Sequence, residues 1–504
     1  MTTQPVVPAV QQLRTAQYMS LRESLGEAIS AELESCACRL REMLLARGTV
    51  AGSVVLAMFG GGKDSTFMTA AARYIHLYFE HRYGETFVLR VASNRHSGMT
   101  TAVTKNIDRV YRGLGMYDDP GVELLMVNGT SISAFDPTER HVRSLRIRDR
   151  LDVLMSGHRC QGDARPTFCN RCNLSMENSV ALAIGFGAPA DVVLTGDSPL
   201  EQRRYLAWVR TVTRKMGNAP AQGNPGLRTF LLDLEQINRH LATNIYGPGA
   251  CEVDAHHIAV EAVRTEPLFF SVYEDTSYSA GDHWQLLLAL GFEFDEIAFA
   301  FSESDCGNPA LMAHLHGLRN ERLLKNSYAD GIREYVRFAV QLMRRKEFPE
   351  HLVSWILRRY KTSEDIGRMR ALMDRYALEN FDLSEAQLVC MVFSPFVEEG
   401  KFLFDYLTSE HPGQLSWESQ IRDVLAGKHE EADIGKIVNF LQRISGLDLP
   451  HLRRLFQSSL VRTRDVNGSG SDLISIILRN DPHKAIVEHL GQHGQMVREI
   501  ITGR

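Results

Sequence analysis

The sequence lacks any apolar run of the roughly 20 residues that a membrane-spanning helix requires. Its first residues, MTTQPVVPAVQQL, also lack the basic segment and apolar core that characterise a secretory signal peptide. Positive charge is not in excess, because 56 Lys and Arg stand against 61 Asp and Glu, which gives a formal net charge of −5. We therefore expect a cytoplasmic protein with no membrane partner and no global attraction to nucleic acid.

Cysteine is scarce as well. Eight cysteines in 504 residues do not make a disulfide scaffold, so clustered cysteines indicate metal or redox chemistry in a reducing compartment. Hydrophobic residues make up 44% of the chain and charged residues 23%, which is ordinary for a globular protein. A chain of this length is expected to form two or three domains.

The most informative stretch is SVVLAMFGGGKDSTFM, which begins at Ser53. An apolar, β-branched run from Val54 to Phe59 predicts a buried parallel strand. Apolar residues at helical spacing predict a helix from Phe67 to Tyr83. A glycine-rich turn therefore joins a strand to a helix, and it consists of Gly60, Gly61, Gly62, Lys63, Asp64 and Ser65.

A turn of this kind can bind phosphate. Glycines let backbone amides approach a ligand closely, and the amides and dipole at the start of the next helix attract anions. Lys63 adds a cation and Ser65 a hydroxyl donor. The spacing is neither that of the Walker loop nor that of GxGxxG. Because glycine turns between strands and helices are common, a purely structural turn explains the pattern equally well on these grounds.

The segment GGGKDS resembles the SGGKDS loop of the PP-loop ATP pyrophosphatases, which also follows the first strand. These enzymes cleave ATP to AMP and pyrophosphate, adenylate a carbonyl or carboxylate oxygen, and let a nitrogen or sulfur nucleophile displace AMP. Gly60 stands where the family has serine, so one hydroxyl contact is missing. The resemblance implies ATP and Mg²⁺ as ligands and Lys63, Asp64 and Ser65 as catalytic residues. The implied nucleotide contacts are Phe59, Gly60, Gly61, Gly62, Lys63, Asp64 and Ser65.

Strands that alternate with helical stretches predict βαβ units and a parallel sheet, with ligands beyond the carboxyl ends of its strands. The further predicted strands are 86–92, 122–127 and 191–194. By resemblance the fold class is α/β, a PP-loop ATP pyrophosphatase (adenine nucleotide alpha hydrolase-like) domain at 51–320. An N-terminal helix at 1–50 precedes it, and a C-terminal all-helical domain is expected at 321–504.

Two further loops receive roles by resemblance. The family holds adenosine after the second strand, which implies a backbone contact at Ala92. After the fourth strand the family carries a glycine–histidine motif with acidic residues that face magnesium and ATP. This chain keeps Gly196 and an acidic residue, Asp197, but not the histidine, which makes Asp197 a candidate magnesium or substrate ligand. An aspartate at this place can equally be the N-cap of the next helix.

A long insertion between the third and fourth strands begins with a strongly basic stretch, 138–155. Arg146 and Arg150 share one face of a predicted helix. This face could be a lid or a grip on an anionic substrate. It could also be a solvated helix surface balanced by Asp149 and Asp152.

Cys160, Cys169 and Cys172 follow within the same insertion, at about 138–175. The CxxC pair places two thiolates within reach of one ion, and Cys160 could join them on a loop marked by glycine and proline. A redox pair is the alternative. His158 and Cys306 are both candidates for the fourth ligand.

The cysteines resemble two patterns within the family. One is the zinc knuckle of the nitrile-forming synthase of the queuosine pathway, except that Ser175 stands where its last cysteine falls. The other is the set of three cysteines that holds an iron–sulfur cluster in tRNA thiolases, matched here by Cys169, Cys172 and Cys306. Zinc is the expected metal, with a 4Fe-4S cluster as the alternative.

The expected function is that of an ATP-dependent ligase or transferase acting on a small molecule, with a helical domain that could form a homodimer. No glutaminase segment is visible, so ammonia or sulfur would come from a donor protein or from solution. One alternative is an iron–sulfur-dependent tRNA thiotransferase, which the net charge does not favour. Another is a catalytically inactive nucleotide-binding regulator, suggested by Gly60 and by the histidine missing near Asp197.

Overall fold

The computed structural model describes most of the chain. The described residues are 6–194, 199–218, 226–247, 257–276, 284–293, 295–297, 307–345, 350–428, 434–463, 472–480, 484–490 and 495–502. Among them, each helix is either too short or too polar to traverse a lipid bilayer.

A six-stranded sheet lies at the centre of the described chain. Its strands are β1 (Val54–Met58), β2 (Val88–Asn94), β3 (Val122–Asn128), β4 (Ser131–Ala134), β5 (Val192–Leu194) and β6 (Leu268–Phe270). They lie in the order β4-β3-β2-β1-β5-β6. Neighbouring strands are parallel except for the edge strand β4, which is antiparallel to β3. The expected α/β fold with a mostly parallel sheet is confirmed, and β4 and β6 are additions to the predicted strands.

Two helices, not one, precede the sheet: α1 (Val6–Leu25) and α2 (Glu27–Arg47). The sequence prediction of a single N-terminal helix is wrong at Gly26. This residue has a φ of 80°, a left-handed conformation that interrupts a right-handed helix and that glycine adopts readily. Arg14 of α1 links these two helices to the sheet domain, because its guanidinium lies 2.6 Å from a carboxylate oxygen of Asp119.

Helices cover both faces of the sheet. They are α3 (Lys63–Tyr83), α4 (Thr101–Gly113), α5 (Arg143–Arg159), α6 (Ala164–Gly185), α7 (Pro199–Lys215), α8 (Leu227–Tyr246) and α9 (Trp284–Ala289). Side chains alternate between the two faces along each strand. Val55 and Ala57 of β1 therefore join a core formed with α1–α4, while Val54 and Leu56 join the core on the opposite face.

The second half of the described chain is mostly helical, as the periodicity predicts. Its helices are α10 (Asn308–Arg322), α11 (Tyr328–Arg345), α12 (Glu350–Arg359), α13 (Ser363–Phe381), α14 (Glu385–Phe393), α15 (Leu403–Glu410), α16 (Glu418–Leu425), α17 (Gly435–Ser445), α18 (Leu449–Phe456) and α19 (Leu473–Arg479). Their buried side chains continue the core that contains Val54 and Leu56, so this helical region packs on the sheet domain.

The last strands of the described chain form an antiparallel hairpin, β7 (Lys484–Leu490) and β8 (Met496–Thr502). The expectation of an all-helical C-terminal region is therefore wrong for these residues. Their sequences, KAIVEHL and MVREIIT, are short and rich in β-branched residues, which favours strands over helices. Ile486 and Met496 are exposed on this hairpin.

Candidate functional site

The glycine turn lies where the strand order of the sheet reverses. β2 pairs with one edge of β1 and β5 with the other, and Ala57 near the end of β1 is aligned with Leu194 at the end of β5. Ligands of open α/β sheets bind at such a point, beyond the carboxyl ends of the strands. Gly60–Ser65 therefore occupy the position in this fold that is most favourable for a ligand.

Gly61 has a backbone conformation and surroundings that exclude a side chain. Its φ is 82°, and a Cβ at this position would lie 2.9 Å from Cγ1 of Val103 and 2.9 Å from Cγ1 of Ile107. Both side chains belong to α4. The turn is therefore packed directly against α4 in a left-handed conformation that only glycine adopts at low cost.

Helix α3 starts immediately after the turn, with Gly62 as its N-cap and Lys63 as its first residue. No side chain caps this end of the helix. The first amides of an α-helix have no partner within the helix, and its dipole places partial positive charge there. The Ser65 and Thr66 hydroxyls donate to the Gly62 carbonyl oxygen at 3.1 and 2.8 Å. This end of α3 can bind a phosphate group.

A cation and a carboxylate lie side by side at this helix start. Nζ of Lys63 is 3.5 Å from Oδ1 of Asp64, and the Lys63 side chain is 2% exposed whereas that of Asp64 is 50% exposed. The Tyr273 hydroxyl, from the segment after β6, donates to the Asp64 carbonyl oxygen at 2.9 Å. The structure thus brings Lys63, Asp64 and Ser65 together at the end of the central strand.

Ala92 lies within β2, not in a loop after it, because β2 continues to Asn94. The Phe59 amide donates to the Ala92 carbonyl oxygen at 2.8 Å, and the Ala92 side chain is fully buried. The carbonyl therefore already accepts one hydrogen bond from the residue that precedes the glycine turn. An adenosine contact at Ala92 stays a prediction.

Gly196 and Asp197 lie outside the described residues. They follow Leu194, whose strand is the direct neighbour of β1. The proposed magnesium or substrate contact of Asp197 stays a prediction.

The cysteine segment is helical and not the expected loop. Cys160 follows the last residue of α5, a short turn contains Gly162 at a φ of 61°, and α6 starts at Ala164. Pro166 fits the first turn of α6, where the amide that proline lacks is not needed. The Cys160 thiol is buried and donates to the Ser156 carbonyl oxygen at 2.9 Å.

The structure describes the other predicted metal ligands only in part. Cys169 and Cys172 are three apart on the backbone of α6, but their side chains lie outside the described part of the chain, and so does Cys306. His158 of α5 is completely buried with its ring 5.5 Å from that of Phe396, and burial lowers its pKa to about 3. The metal site therefore stays a prediction.

A cavity of about 600 Å³ lies at the start of α4, near the same end of the sheet. Four arginines line it, one after β2, two in the insertion and one in α13: Arg95, Arg140, Arg146 and Arg375. Asp295 and Glu379 are its acidic residues. Sequence reasoning missed Arg375 and Glu379, because charges spaced by four residues on a surface helix carry no signal of a distant cavity.

The basic stretch of the insertion divides between two roles. Arg146 faces the cavity, whereas Arg148 lies 3.6 Å from Asp152 and Arg150 donates to the carbonyl oxygens of Asp382 and Gly446 at 2.9 Å each. The interpretation of a simple solvated face is therefore wrong for Arg150, which links α5 to the segments after α13 and α17. The Arg148–Asp152 pair lies within α5 and matches the expected balance of charge along that helix.

His314, Asp374 and Glu385 form an acidic cluster in the helical region whose atoms lie close enough for one metal ion. Each of them already has a partner. Nδ1 of His314 is 2.7 Å from the Tyr328 hydroxyl and Nε2 is 3.0 Å from Asp374. Both carboxylate oxygens of Glu385 accept from Arg370. The cluster is better described as a partly buried network of hydrogen bonds and ion pairs than as a metal site.

The chain matches no protein-family model, no curated protein and no solved structure. The likeness to the PP-loop ATP pyrophosphatases therefore depends on the residues of the chain themselves, above all on Gly60–Ser65.

Proposed function

We propose that the chain is an ATP-dependent, AMP-forming ligase or transferase that adenylates a carbonyl or carboxylate oxygen of a small molecule. The observation that carries this proposal is the place of the glycine turn, which connects the middle strand to α3 where the strand order reverses. Ligands of open α/β sheets bind there. The GGGKDS sequence of the turn supports the pyrophosphate part of ATP as the ligand in preference to other anions.

In the proposed reaction, an oxygen of the acceptor attacks the α-phosphorus of ATP. The bond from that phosphorus to the bridging oxygen breaks, and pyrophosphate leaves with its electron pair. A nitrogen or sulfur nucleophile, supplied by a donor protein or from solution, then bonds to the activated carbon. AMP leaves and carries the acceptor oxygen with it.

The residues of the turn would stabilise the charge on the departing pyrophosphate. The amides at the start of α3 supply fixed dipoles, which cost no reorganisation during the reaction. Because the Lys63 side chain is almost fully buried, solvent would screen its attraction for a phosphate only weakly. The half-exposed carboxylate of Asp64 fits a magnesium ligand, and magnesium when bound would neutralise phosphate charge.

The test is product analysis with the full chain. Protein is incubated with ATP labelled in its α-phosphate and with a panel of carboxylic acids and amides, plus ammonium or sulfide. The expected products are AMP and pyrophosphate in equal amounts. With an acceptor labelled by oxygen-18, the label is expected in AMP, because AMP leaves with the acceptor oxygen.

Matched variants connect this activity to the turn. Lys63→Gln is expected to lower the rate by roughly a hundredfold or more, the usual effect of removing a group that stabilises transition-state charge. Ser24→Ala on α1 is the control for a substitution outside the turn, because it removes only an exposed hydroxyl that donates to a carbonyl of its own helix. ADP as the sole product, or full AMP formation by Lys63→Gln, would contradict the proposal. Binding of ATP without turnover of any acceptor in the panel would favour the alternative of a catalytically inactive nucleotide-binding regulator.

The metal is tested separately. We expect one zinc ion per chain, bound by Cys169 and Cys172 together with Cys160 and Cys306, in protein purified without oxygen. Cys169→Ser is expected to lower the zinc content. Cys38→Ser, at an exposed cysteine of α2, is the control and is expected to keep the zinc content of the wild-type chain. Iron with acid-labile sulfide would instead support the iron–sulfur-dependent tRNA thiotransferase.

A further inference from the structure

We propose that the cavity at the start of α4 binds a small organic polyanion, with at least two negative charges on phosphate or carboxylate groups. This site is distinct from the glycine turn and does not require that the turn binds ATP. Four arginines from three separate parts of the chain converge on it.

The arginines of the cavity differ from those that stabilise the fold. Within the described part of the chain, the side chains of Arg140, Arg146 and Arg375 have no ion pair and no hydrogen bond. Arg370, on the same helix as Arg375, binds Glu321 and Glu385 instead. Unpaired guanidinium groups that surround one cavity repel each other unless an anion neutralises them.

Arg95 supplies a partly buried charge. Its guanidinium donates to the carbonyl oxygens of His96 and Met99 at 3.0 and 2.9 Å, and it forms no ion pair within the described residues. These neutral acceptors fix its position without cancelling its charge. Its attraction for a bound anion is screened less than that of an exposed arginine.

The start of α4 adds backbone donors to the same cavity. The Thr100 hydroxyl caps the helix by accepting from the Val103 amide at 3.3 Å. Thr101 and Ala102 line the cavity, and in the described structure their amides donate to no protein group. The positive end of a 13-residue helix therefore meets the four arginines.

Size and charge define the class of ligand. A volume of about 600 Å³ suits a metabolite-sized molecule. Four arginines against Asp295 and Glu379 leave an excess of two positive charges, which matches a ligand with two or more negative charges. The two carboxylates repel a continuous phosphate backbone and can accept from hydroxyl or amino groups, so a small polyanion with such donors fits better than RNA.

The experiment is calorimetric titration of the full chain at constant ionic strength with fructose bisphosphate and with citrate. The first probe represents phosphate groups and the second carboxylate groups, and acetate serves as the singly charged comparison. Saturable binding of either polyanion, and not of acetate, is expected, and the tighter of the two identifies the anionic group. Lys63→Gln is expected to bind the same probe unchanged, which separates this site from the glycine turn.

Exposed arginines allow matched variants that should keep the fold, as checked by circular dichroism. Arg146→Gln and Arg375→Gln are each expected to weaken binding about tenfold, the usual effect of losing one charge-assisted hydrogen bond. Arg143→Gln on α5 and Arg368→Gln on α13 remove the same charge outside the cavity. They are expected to change affinity by less than roughly twofold, because salt screens distant surface charges.

Several results would overturn the proposal. It would be wrong if neither polyanion binds the wild-type chain, or if the double variant Arg146→Gln/Arg375→Gln binds as tightly as wild type. Equal weakening by the control variants would show non-specific attraction. Binding of a short single-stranded RNA that depends on Arg146, with no binding of either small probe, would identify a nucleic-acid surface instead. AMP formation that persists in any of these cases would leave the proposed function intact.

Discussion

At Gly61 the backbone of the glycine turn passes so close to α4 that no Cβ fits between them. The sequence predicts that glycine is needed here for close approach to a phosphate. The structure adds a second requirement, because the nearest atoms are those of Val103 and Ile107. These residues lie about forty positions further along the chain, so this tertiary contact could not be inferred from local pattern.

We expect Gly61→Ala to lower the free energy of unfolding by roughly 2–4 kcal/mol, the sum of left-handed strain and overpacking. Gly52→Ala is the matched control, since Gly52 has a φ of 87° but no atom within 4 Å of the position that a Cβ would occupy. Urea unfolding of both variants isolates the contact with α4. Equal losses in the two variants would show that this contact contributes nothing.

His76 is a second residue whose protonation state is determined by its surroundings. It is completely buried, and its Nδ1 lies 2.9 Å from a guanidinium nitrogen of Arg73. Because guanidinium can only donate, Nδ1 accepts and the ring is neutral. Burial and the charge of Arg73 lower the pKa of His76 to about 3.

This lowered pKa predicts a pH dependence of stability. The unfolded chain binds a proton at His76 near its ordinary pKa of about 6.5, whereas the folded chain does so only near 3. Stability from the neutral ring is therefore complete above about pH 6.5 and declines as pH falls toward 3, by up to about 1.4 kcal/mol per pH unit. Denaturant titrations of His76→Asn should show a flatter decline, while His351→Asn, on the exposed side of α12, should keep the wild-type slope. A wild-type slope in His76→Asn would contradict this.

At the scale of elements, α5 joins the sheet domain to the helical region. Arg150 donates to the carbonyls of Asp382 and Gly446, in the segments that follow α13 and α17. We expect Arg150→Ala to lower the free energy of unfolding by about 1–3 kcal/mol, because charge-assisted hydrogen bonds to two carbonyls are lost. Arg146→Ala, one turn earlier, should change it by about 0.5 kcal/mol or less, as is usual for a surface residue outside the packed core. Thermal and urea unfolding measure the free energy of unfolding of both variants. Similar losses in Arg150→Ala and Arg146→Ala would contradict this prediction.

Elements with strong periodicity can be predicted from the sequence. The long apolar strands β1–β3 and most helices of the second half follow from pattern, and so does the place of Gly60–Ser65 at the end of β1. The short strands β4 and β6 escape prediction, because strands of three or four residues are stabilised by their neighbours more than by their own sequence. β5 is equally short, but it lies within the predicted strand 191–194. The cavity could not be predicted either, because α13 comes to line the cavity only through tertiary packing.

At the scale of the molecule, one hydrophobic core runs from the sheet into the helical region. It contains Val54 and Leu56 of β1 together with Ile474 and Ile477 of α19. The expected boundary at residue 320 therefore falls within shared packing, and the two parts should unfold together.

A truncation after Leu323 is expected to lose cooperative unfolding and to bind a dye that recognises exposed apolar surface, because the apolar faces of α5 and α10 that pack against the removed helices become exposed. A truncation after Asn480 is the control. It removes only β7, β8 and their flanks, and an isolated two-stranded hairpin contributes little stability. A cooperative transition in the shorter fragment would show that the helical region is dispensable for folding.

The shared core also affects how the protein forms during translation. A ribosome releases α5 and α10 before α11–α19, so the apolar faces of α5 and α10 lack their partners until those later helices are made. Until then the nascent chain presents these apolar helix faces to the cell. Protection by a chaperone during this interval would favour correct assembly over aggregation.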